Sequence, residues 1–102
     1  MNFEFTNSNR PKSLFPLGQV VATHGALDLL DRSATNAFAL LQRHQAGDWG
    51  DIHPEDAIAN REAVRYGTRI LSSYTLGNNA EPLWIITEAD RSVTTLLLPS
   101  EY

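Results

Sequence analysis

The sequence predicts a single α+β domain with a short N-terminal strand, two to three helices and then a three-stranded antiparallel meander, the helices lying on one sheet face. Three observations support this prediction. The chain has 102 residues, 42% of them hydrophobic, which suits one globular domain. Apolar residues follow a helical spacing in the middle of the chain and alternate with polar residues in its last third. The connections between the last three strands are too short for parallel crossovers, so these strands must be antiparallel.

The predicted domain begins at Leu14. Residues 1–13 include the breaker-rich stretch Asn7–Lys12, which is typical of a flexible lead-in, although Phe3 and Phe5 alternate with polar residues as in an edge strand. We therefore divide the chain into a flexible tail, residues 1–13, and one domain, residues 14–102.

The first strand and helix are predicted from a change of period. β-Branched residues favour a strand over Gln19–Thr23. Apolar residues over Ala26–Leu30 then fit one or two helical turns, with Thr23 as the N-cap.

Two further helices are predicted from their end signals. Asn36–Ala46 has helical spacing, with Ser33 or Thr35 as the cap and Gly47 as a left-handed terminator. The next helix opens at Pro54 and runs until Gly67 stops it.

The last third predicts three strands. They are Arg69–Leu76, Leu83–Glu88 and Ser92–Leu98, separated by a turn-rich segment over Gly77–Pro82 and a short turn over Ala89–Arg91.

Three segments resemble a known family: Leu17–Leu27 (LGQVVATHGAL), Gly47–Asp56 (GDWGDIHPED) and Leu83–Tyr102 (LWIITEADRSVTTLLLPSEY). The family consists of small proteins carried mostly by bacterial plasmids, integrative elements and phages. Its members are labelled plasmid-related protein or, misleadingly, type I restriction endonuclease subunit M. The resemblance spans Leu14–Tyr102 and implies an accessory role on a mobile element, with no defined activity. The restriction label does not fit, because an adenine methyltransferase needs an Asn-Pro-Pro-aromatic motif and this chain has no adjacent prolines.

Several classes of chemistry lack sequence support. The absence of cysteine excludes a disulfide scaffold, a thiolate zinc site and a cysteine nucleophile. No serine-nucleophile elbow or phosphate-binding loop is present. The net charge of −4 disfavours nucleic acid as a partner. With no targeting segment and no long apolar run, we expect a cytoplasmic protein that does not enter membranes.

The acidic turn is the strongest candidate for a metal or acid–base site. It holds Asp48, Asp51, Glu55 and Asp56, with His53 among them. Its spacing matches no calcium loop, and the last two carboxylates suit the positive end of a helix dipole. We therefore expect a turn and a helix N-terminus, with no metal and no cofactor.

The three histidines do not predict a shared site. His24 follows a strand, His44 lies late in a helix and His53 precedes the next helix. The helix dipole alone favours a histidine at the second of these positions.

The remaining candidates are contact residues. Trp84 belongs to the strongest strand, and it is exposed on an open sheet face if it points away from the helices. Core packing is the alternative for both tryptophans, and Arg91 alternatively pairs with a carboxylate in its own turn. No catalytic residue is predicted. The predicted partner contacts are Asp48, Trp49, Asp51, Arg69, Trp84 and Arg91.

We expect a non-catalytic module that binds a host or element-encoded protein, and one form of that role is to counter a host defence. A small acidic domain suits a basic surface that normally binds nucleic acid, although −4 is a modest charge for such mimicry. Two alternatives stay open. Ribosome-dependent mRNA-cleaving toxins share this element order but are basic, and a metal-dependent enzyme would use the turn over Asp48–Asp56. The oligomeric state is not predicted.

Overall fold

The computed structural model describes residues 12–102. The predicted tail falls outside these residues, apart from Lys12 and Ser13. Within the described chain, no helix has the length and apolarity to cross a membrane. The elements in order are β1 Gln19–Ala22, α1 His24–Arg32, α2 Ala37–Ala46, α3 Pro54–Tyr66, β2 Ile70–Leu76, β3 Glu81–Thr87, β4 Val93–Leu97 and a 3-10 turn Pro99–Glu101.

The four strands form one mixed sheet in the order β1-β4-β3-β2. The antiparallel meander of β2, β3 and β4 is confirmed. The meander is only part of the sheet, because the predicted N-terminal strand, β1, adds to it as a fourth strand in parallel with β4. Two backbone bonds flank this pairing: Gln19 N–H donates to Ser92 O at 2.9 Å, and Thr23 N–H donates to Leu96 O at 3.0 Å. The three helices together with β2 and β3 separate β1 from β4 in the chain, which gives the long connection that a parallel pair requires.

One face of the sheet carries the main core. Alternate residues of the strands point toward α1 and α2 because side chains alternate across a sheet. They pack against leucines that recur at helical spacing. Apart from Ala26, the buried members of this core are Leu29, Leu30, Leu40, Leu41, Tyr74, Leu76, Leu83, Ile85 and Leu96.

The same face carries a second, smaller core beneath α3. Phe15, Trp49, Ala63 and Ile70 are buried together there. Since Ile70 and Tyr74 share one face of β2, all three helices pack on the same side of the sheet. The prediction of helices on one sheet face is confirmed.

The helix N-termini follow local chemistry, with one correction. The Thr23 side chain caps α1 by accepting from Ala26 N–H at 3.1 Å, as predicted. The cap of α2 is neither Ser33 nor Thr35 but Asn36, whose side chain accepts from Phe38 N–H at 2.8 Å. The Ser33 hydroxyl is taken by the end of α1, where it donates to a backbone carbonyl.

The predicted left-handed terminator of α2 is confirmed: Gly47 has φ 90°. Gly67 ends α3 in the same way, with φ 77°. A Cβ at Gly47 would lie 3.1 Å from Leu14 Cδ1, whereas a Cβ at Gly67 would meet nothing within 4 Å.

We expect Gly67→Ala to lower the free energy of unfolding by about 1 kcal/mol through backbone strain alone. Gly47→Ala should cost more, because its Cβ also crowds Leu14. Urea unfolding of both variants measures the difference. Equal costs would show that the Leu14 side chain moves aside freely.

Candidate functional site

The sheet face opposite the helices, here called the open face, is the candidate site. Trp84 pairs with Ser73 on one side and Leu97 on the other, and side chains opposite one another in a sheet share a face. Trp84 is half-buried, and the strand alternation places it away from the core residues Leu83 and Ile85. Trp84 therefore lies on the open face, as its predicted contact role requires.

Two further side chains form a cluster with Trp84. The Tyr102 ring meets the indole edge to face, with 5.7 Å between centroids. The Arg69 guanidinium lies 5.6 Å from the Tyr102 ring centroid, within cation–π range. Arg69 is one of the contact residues that the sequence predicts. Tyr102 is not, because no local sequence pattern indicates that its ring lies against Trp84.

The Tyr102 ring is held by the residues just before it. The Glu101 carboxylate accepts from Leu98 N–H at 2.8 Å and from Gly25 N–H at 3.1 Å, and it also bonds the Thr23 hydroxyl. These three bonds lower the pKa of Glu101. A Cβ at Gly25 would come within 2.6 Å of the same carboxylate, so a larger residue at this position would displace the Glu101 side chain. The 3-10 turn is thereby tied to the start of α1.

Apolar side chains extend the cluster along the strands. Ile86 and Leu97 lie on the open face by alternation and are buried. Leu71 and Thr95, the two neighbours of Ile86 across the strands, are partly exposed. The side chains that surround Trp84 along the strands on the open face are therefore mainly apolar.

The predicted pairing of Arg91 with a carboxylate is wrong within the described chain. Its guanidinium donates to three backbone carbonyls: Ala63 O at 2.8 Å, Thr68 O at 2.7 Å and Glu88 O at 3.0 Å. Because Ala63 and Thr68 lie at and just beyond the end of α3, Arg91 stabilises the negative end of that helix. A half-buried guanidinium with these bonds is a structural element and not a free contact.

The acidic turn is likewise held by internal bonds. Asp48 pairs with Arg43 at 2.6 and 3.2 Å, and this guanidinium lowers the pKa of the Asp48 carboxyl. Arg43 also lies 4.6 Å over the Tyr74 ring. The Asp51 carboxylate accepts from the Thr75 hydroxyl at 2.7 Å. Both aspartates remain exposed, so they can still face a partner.

Trp49 does not offer the contact predicted for it, because its ring is buried in the core beneath α3. Its Nε1 has no hydrogen-bond partner in the structure. An unsatisfied buried N–H costs stability.

The three histidines do not meet. His24 and His53 are exposed, whereas His44 is fully buried between α2 and the sheet. Its Nδ1 lies 2.6 Å from Ser72 Oγ and its Nε2 lies 2.9 Å from Thr87 Oγ1. From the sequence, the helix dipole alone explains a histidine at position 44. The structure adds two buried side-chain hydrogen bonds that hold the ring.

The hydroxyl hydrogens assign the tautomer of His44. The Thr94 hydroxyl donates to Leu17 O at 2.7 Å, so the Thr87 hydroxyl must donate across the 2.7 Å contact to Thr94. Thr87 Oγ1 then accepts from Nε2–H, and Nδ1 of the neutral ring accepts from Ser72. Burial, and secondarily the charge of Arg91, lowers the pKa of His44 to about 4.

Within residues 12–102, no three histidine, aspartate or glutamate side chains lie close enough together to hold a metal ion. Comparison of the chain with family models, with curated proteins and with solved structures gives no match.

We expect stability to fall by about 2 kcal/mol between pH 7 and pH 5 because of His44 alone. Its pKa is about 4 in the folded state and roughly 6.5 when unfolded, so the unfolded chain binds more protons in this interval. The contribution is complete above the unfolded pKa and is lost as the pH falls toward the folded one. Chemical denaturation across this range measures the loss, and His53→Gln is the exposed control that retains it. An imidazole NMR signal of His44 that titrates above pH 6 would contradict the prediction.

For Trp49, we expect Trp49→Phe to change the free energy of unfolding by less than about 1 kcal/mol, because the N–H that it removes has no partner. Trp49→Ala should cost about 3 to 5 kcal/mol through the cavity that it leaves. Thermal or urea unfolding compares the two. If the phenylalanine variant is as unstable as the alanine variant, the indole nitrogen has a role that this geometry does not explain.

Proposed function

We propose that this protein is a non-catalytic protein-binding module and that the open face is its docking surface. The observation that carries the proposal is the cluster of Trp84, Tyr102 and Arg69 on a sheet face that no described helix covers. Tryptophan, tyrosine and arginine are the residues that most often dominate binding energy at protein interfaces.

The distribution of charge favours one class of partner. Carboxylates border the open face: Asp51 lies beside the β2 edge, and Glu88 and Asp90 lie in the turn after β3. Arg69 is the cation of the central cluster. The chain as a whole has a net charge of −4. We therefore propose a partner whose surface is apolar at its centre and rich in lysine and arginine at its rim.

The same charges count against the two alternatives. An RNA-cleaving toxin needs cations to hold phosphates, whereas the open face is apolar and bordered by carboxylates. In the acidic turn, Asp48 is paired with Arg43 and Asp51 accepts a hydrogen bond from Thr75, so both carboxylates already have partners within the chain. The resemblance to accessory proteins of mobile elements supports a host protein as the partner.

The chain contains a matched pair of tyrosines that tests the docking surface. Tyr102 and Tyr66 are 65% and 66% exposed, and each lies beside an arginine, at 5.6 Å from Arg69 and 5.5 Å from Arg65. Only Tyr102 belongs to the open face, whereas Tyr66 lies at the end of α3.

We expect Tyr102→Ala to weaken partner binding by at least about tenfold, and Tyr66→Ala to leave it unchanged. Affinity capture from a host lysate with the unaltered protein and both variants identifies the protein that only Tyr102→Ala fails to retain. Titration of that purified protein then gives the affinities. Its association rate should fall as salt rises, because border charges steer the encounter.

Two outcomes would contradict the proposed function. The first is a partner that both variants retain equally, since the open face would then not be the docking surface. The second is turnover of RNA, DNA or a nucleotide by the purified protein that a substitution of Asp51 abolishes.

A further inference from the structure

The two edge strands of the sheet, β1 and β2, differ in whether other segments of the chain form hydrogen bonds to their outer sides. The outer edge of β2 is closed by residues from the loop after α2 and from α3. Asn60 donates to Leu71 O at 2.7 Å and accepts from Leu71 N–H at 3.2 Å, so its amide replaces a neighbouring strand at this position. The next outward residue, Ser73, donates to Trp49 O at 3.0 Å and accepts from Asp51 N–H at 2.7 Å.

This closure is built into the backbone. Gly50 bridges to Ser73 with φ 74°, and a Cβ at Gly50 would lie 2.2 Å from Ser73 O. Only glycine allows the loop to approach β2 so closely. The β2 edge has no room for another strand.

The outer edge of β1 is open in the described chain. Gln19 and Thr23 donate to β4, and the direction of the backbone groups alternates along a strand. The N–H and C=O groups of Val20 and Ala22 therefore point away from the sheet. Val20 and Val21 are 43% and 39% exposed.

The β1 edge is short, which limits pairing, but it lacks the charges and proline that keep other edge strands apart. Its four residues, Gln19–Ala22, include no charge and no proline. Proteins that avoid edge-to-edge pairing place lysine, proline or a bulge at such a position. The contrast with the closed β2 edge makes β1 the position where a further strand can add.

We propose that β1 pairs antiparallel with β1 of a second copy of this chain, about a twofold axis at Val21. In this register Val20 of each copy faces Ala22 of the other. The N–H and C=O groups of these two residues in each copy point toward the second copy. The pairing makes four hydrogen bonds, since each facing pair exchanges two. The edge is thus self-complementary, as a twofold interface requires.

The pairing would join the two sheets into one of eight strands. The Val21 side chains would meet at the axis on the side of the open face, because Val21 lies opposite Thr95 in the sheet. The open faces of the two copies would become one continuous surface. The proposal stands on the backbone of β1 and does not depend on what that surface binds.

Four residues from each copy bury less area than the roughly 1,200 Å² of a standard stable interface. The expected dimer is therefore weak and depends on concentration. Sedimentation across a range from about 1 µM to about 500 µM should show a shift from monomer to dimer.

Two substitutions at position 20 test the role of the backbone. Val20→Pro removes only an outward N–H, which an edge strand tolerates, and it should abolish the dimer. Val20→Thr retains the N–H and the side-chain shape, and it should dimerise like the unaltered protein.

Because the chain has no cysteine, cross-linking can read the register directly. At the proposed axis the two Val21 Cα atoms lie about 4.5 Å apart, as in a non-hydrogen-bonded antiparallel pair. This distance suits a disulfide. Val21→Cys should therefore cross-link under mild oxidation. Val20→Cys is similarly exposed, but it faces Ala22 of the second copy and not the second cysteine, so it should not cross-link.

The proposal is overturned if the protein stays monomeric at every concentration or if a dimer survives Val20→Pro. It is also overturned if both cysteine variants cross-link equally, because that indicates random collision. Should Val20→Pro fail to fold, the comparison of the two cysteine variants decides the question.

Discussion

A buried chain of hydrogen bonds joins α2 to three of the four strands and to the segment that leads into β1. It runs from Ser72 in β2 to the His44 ring, on to Thr87 in β3 and Thr94 in β4, and ends at the carbonyl of Leu17 just before β1. Each polar side chain in it is fully buried and hydrogen-bonded, which is the condition for tolerating such groups in a core. The network specifies how the helix sits on the sheet, because any shift of α2 would leave several of these groups without partners. The whole network lies on the side of the sheet that faces the helices.

Much of the conspicuous charge of the chain serves the fold. Arg91 closes the end of α3 through three carbonyls, and Arg43 holds the acidic turn through Asp48 and Tyr74. The acidic turn also closes the β2 edge, because the backbone groups of Trp49 and Asp51 form hydrogen bonds to Ser73. Two of the binding candidates predicted from the sequence, Asp48 and Arg91, therefore already form hydrogen bonds within the chain.

The open face and the β1 edge share one property: no described α-helix covers the face, and no described strand pairs with the outer side of the edge. The open face presents aromatic and apolar side chains, whereas the edge presents backbone donors and acceptors. These two kinds of surface favour different contacts, side-chain packing in the first case and strand addition in the second. Pairing at the edge would enlarge the face and would use Val21 at its border, but not the cluster of Trp84, Tyr102 and Arg69. Both surfaces can therefore be occupied in the same assembly.

The sequence by itself determined the local features of this protein. The α+β class, the meander of β2 to β4, the Thr23 cap and the left-handed Gly47 follow from period, capping chemistry and glycine placement within a few residues of each site. The choice of Asn36 as the α2 cap was missed, because several residues in that loop have suitable side chains.

Only the tertiary structure decided how distant segments meet. The parallel pairing of β1 with β4, the burial of Trp49, the carbonyl partners of Arg91 and the place of Tyr102 beside Trp84 each join residues far apart in the chain. Such contacts carry no periodic signal, since they depend on the packing of whole elements and on which polar groups that packing leaves to be satisfied. Local sequence thus predicts which elements form. The burial of one sheet face decides which residues remain for function.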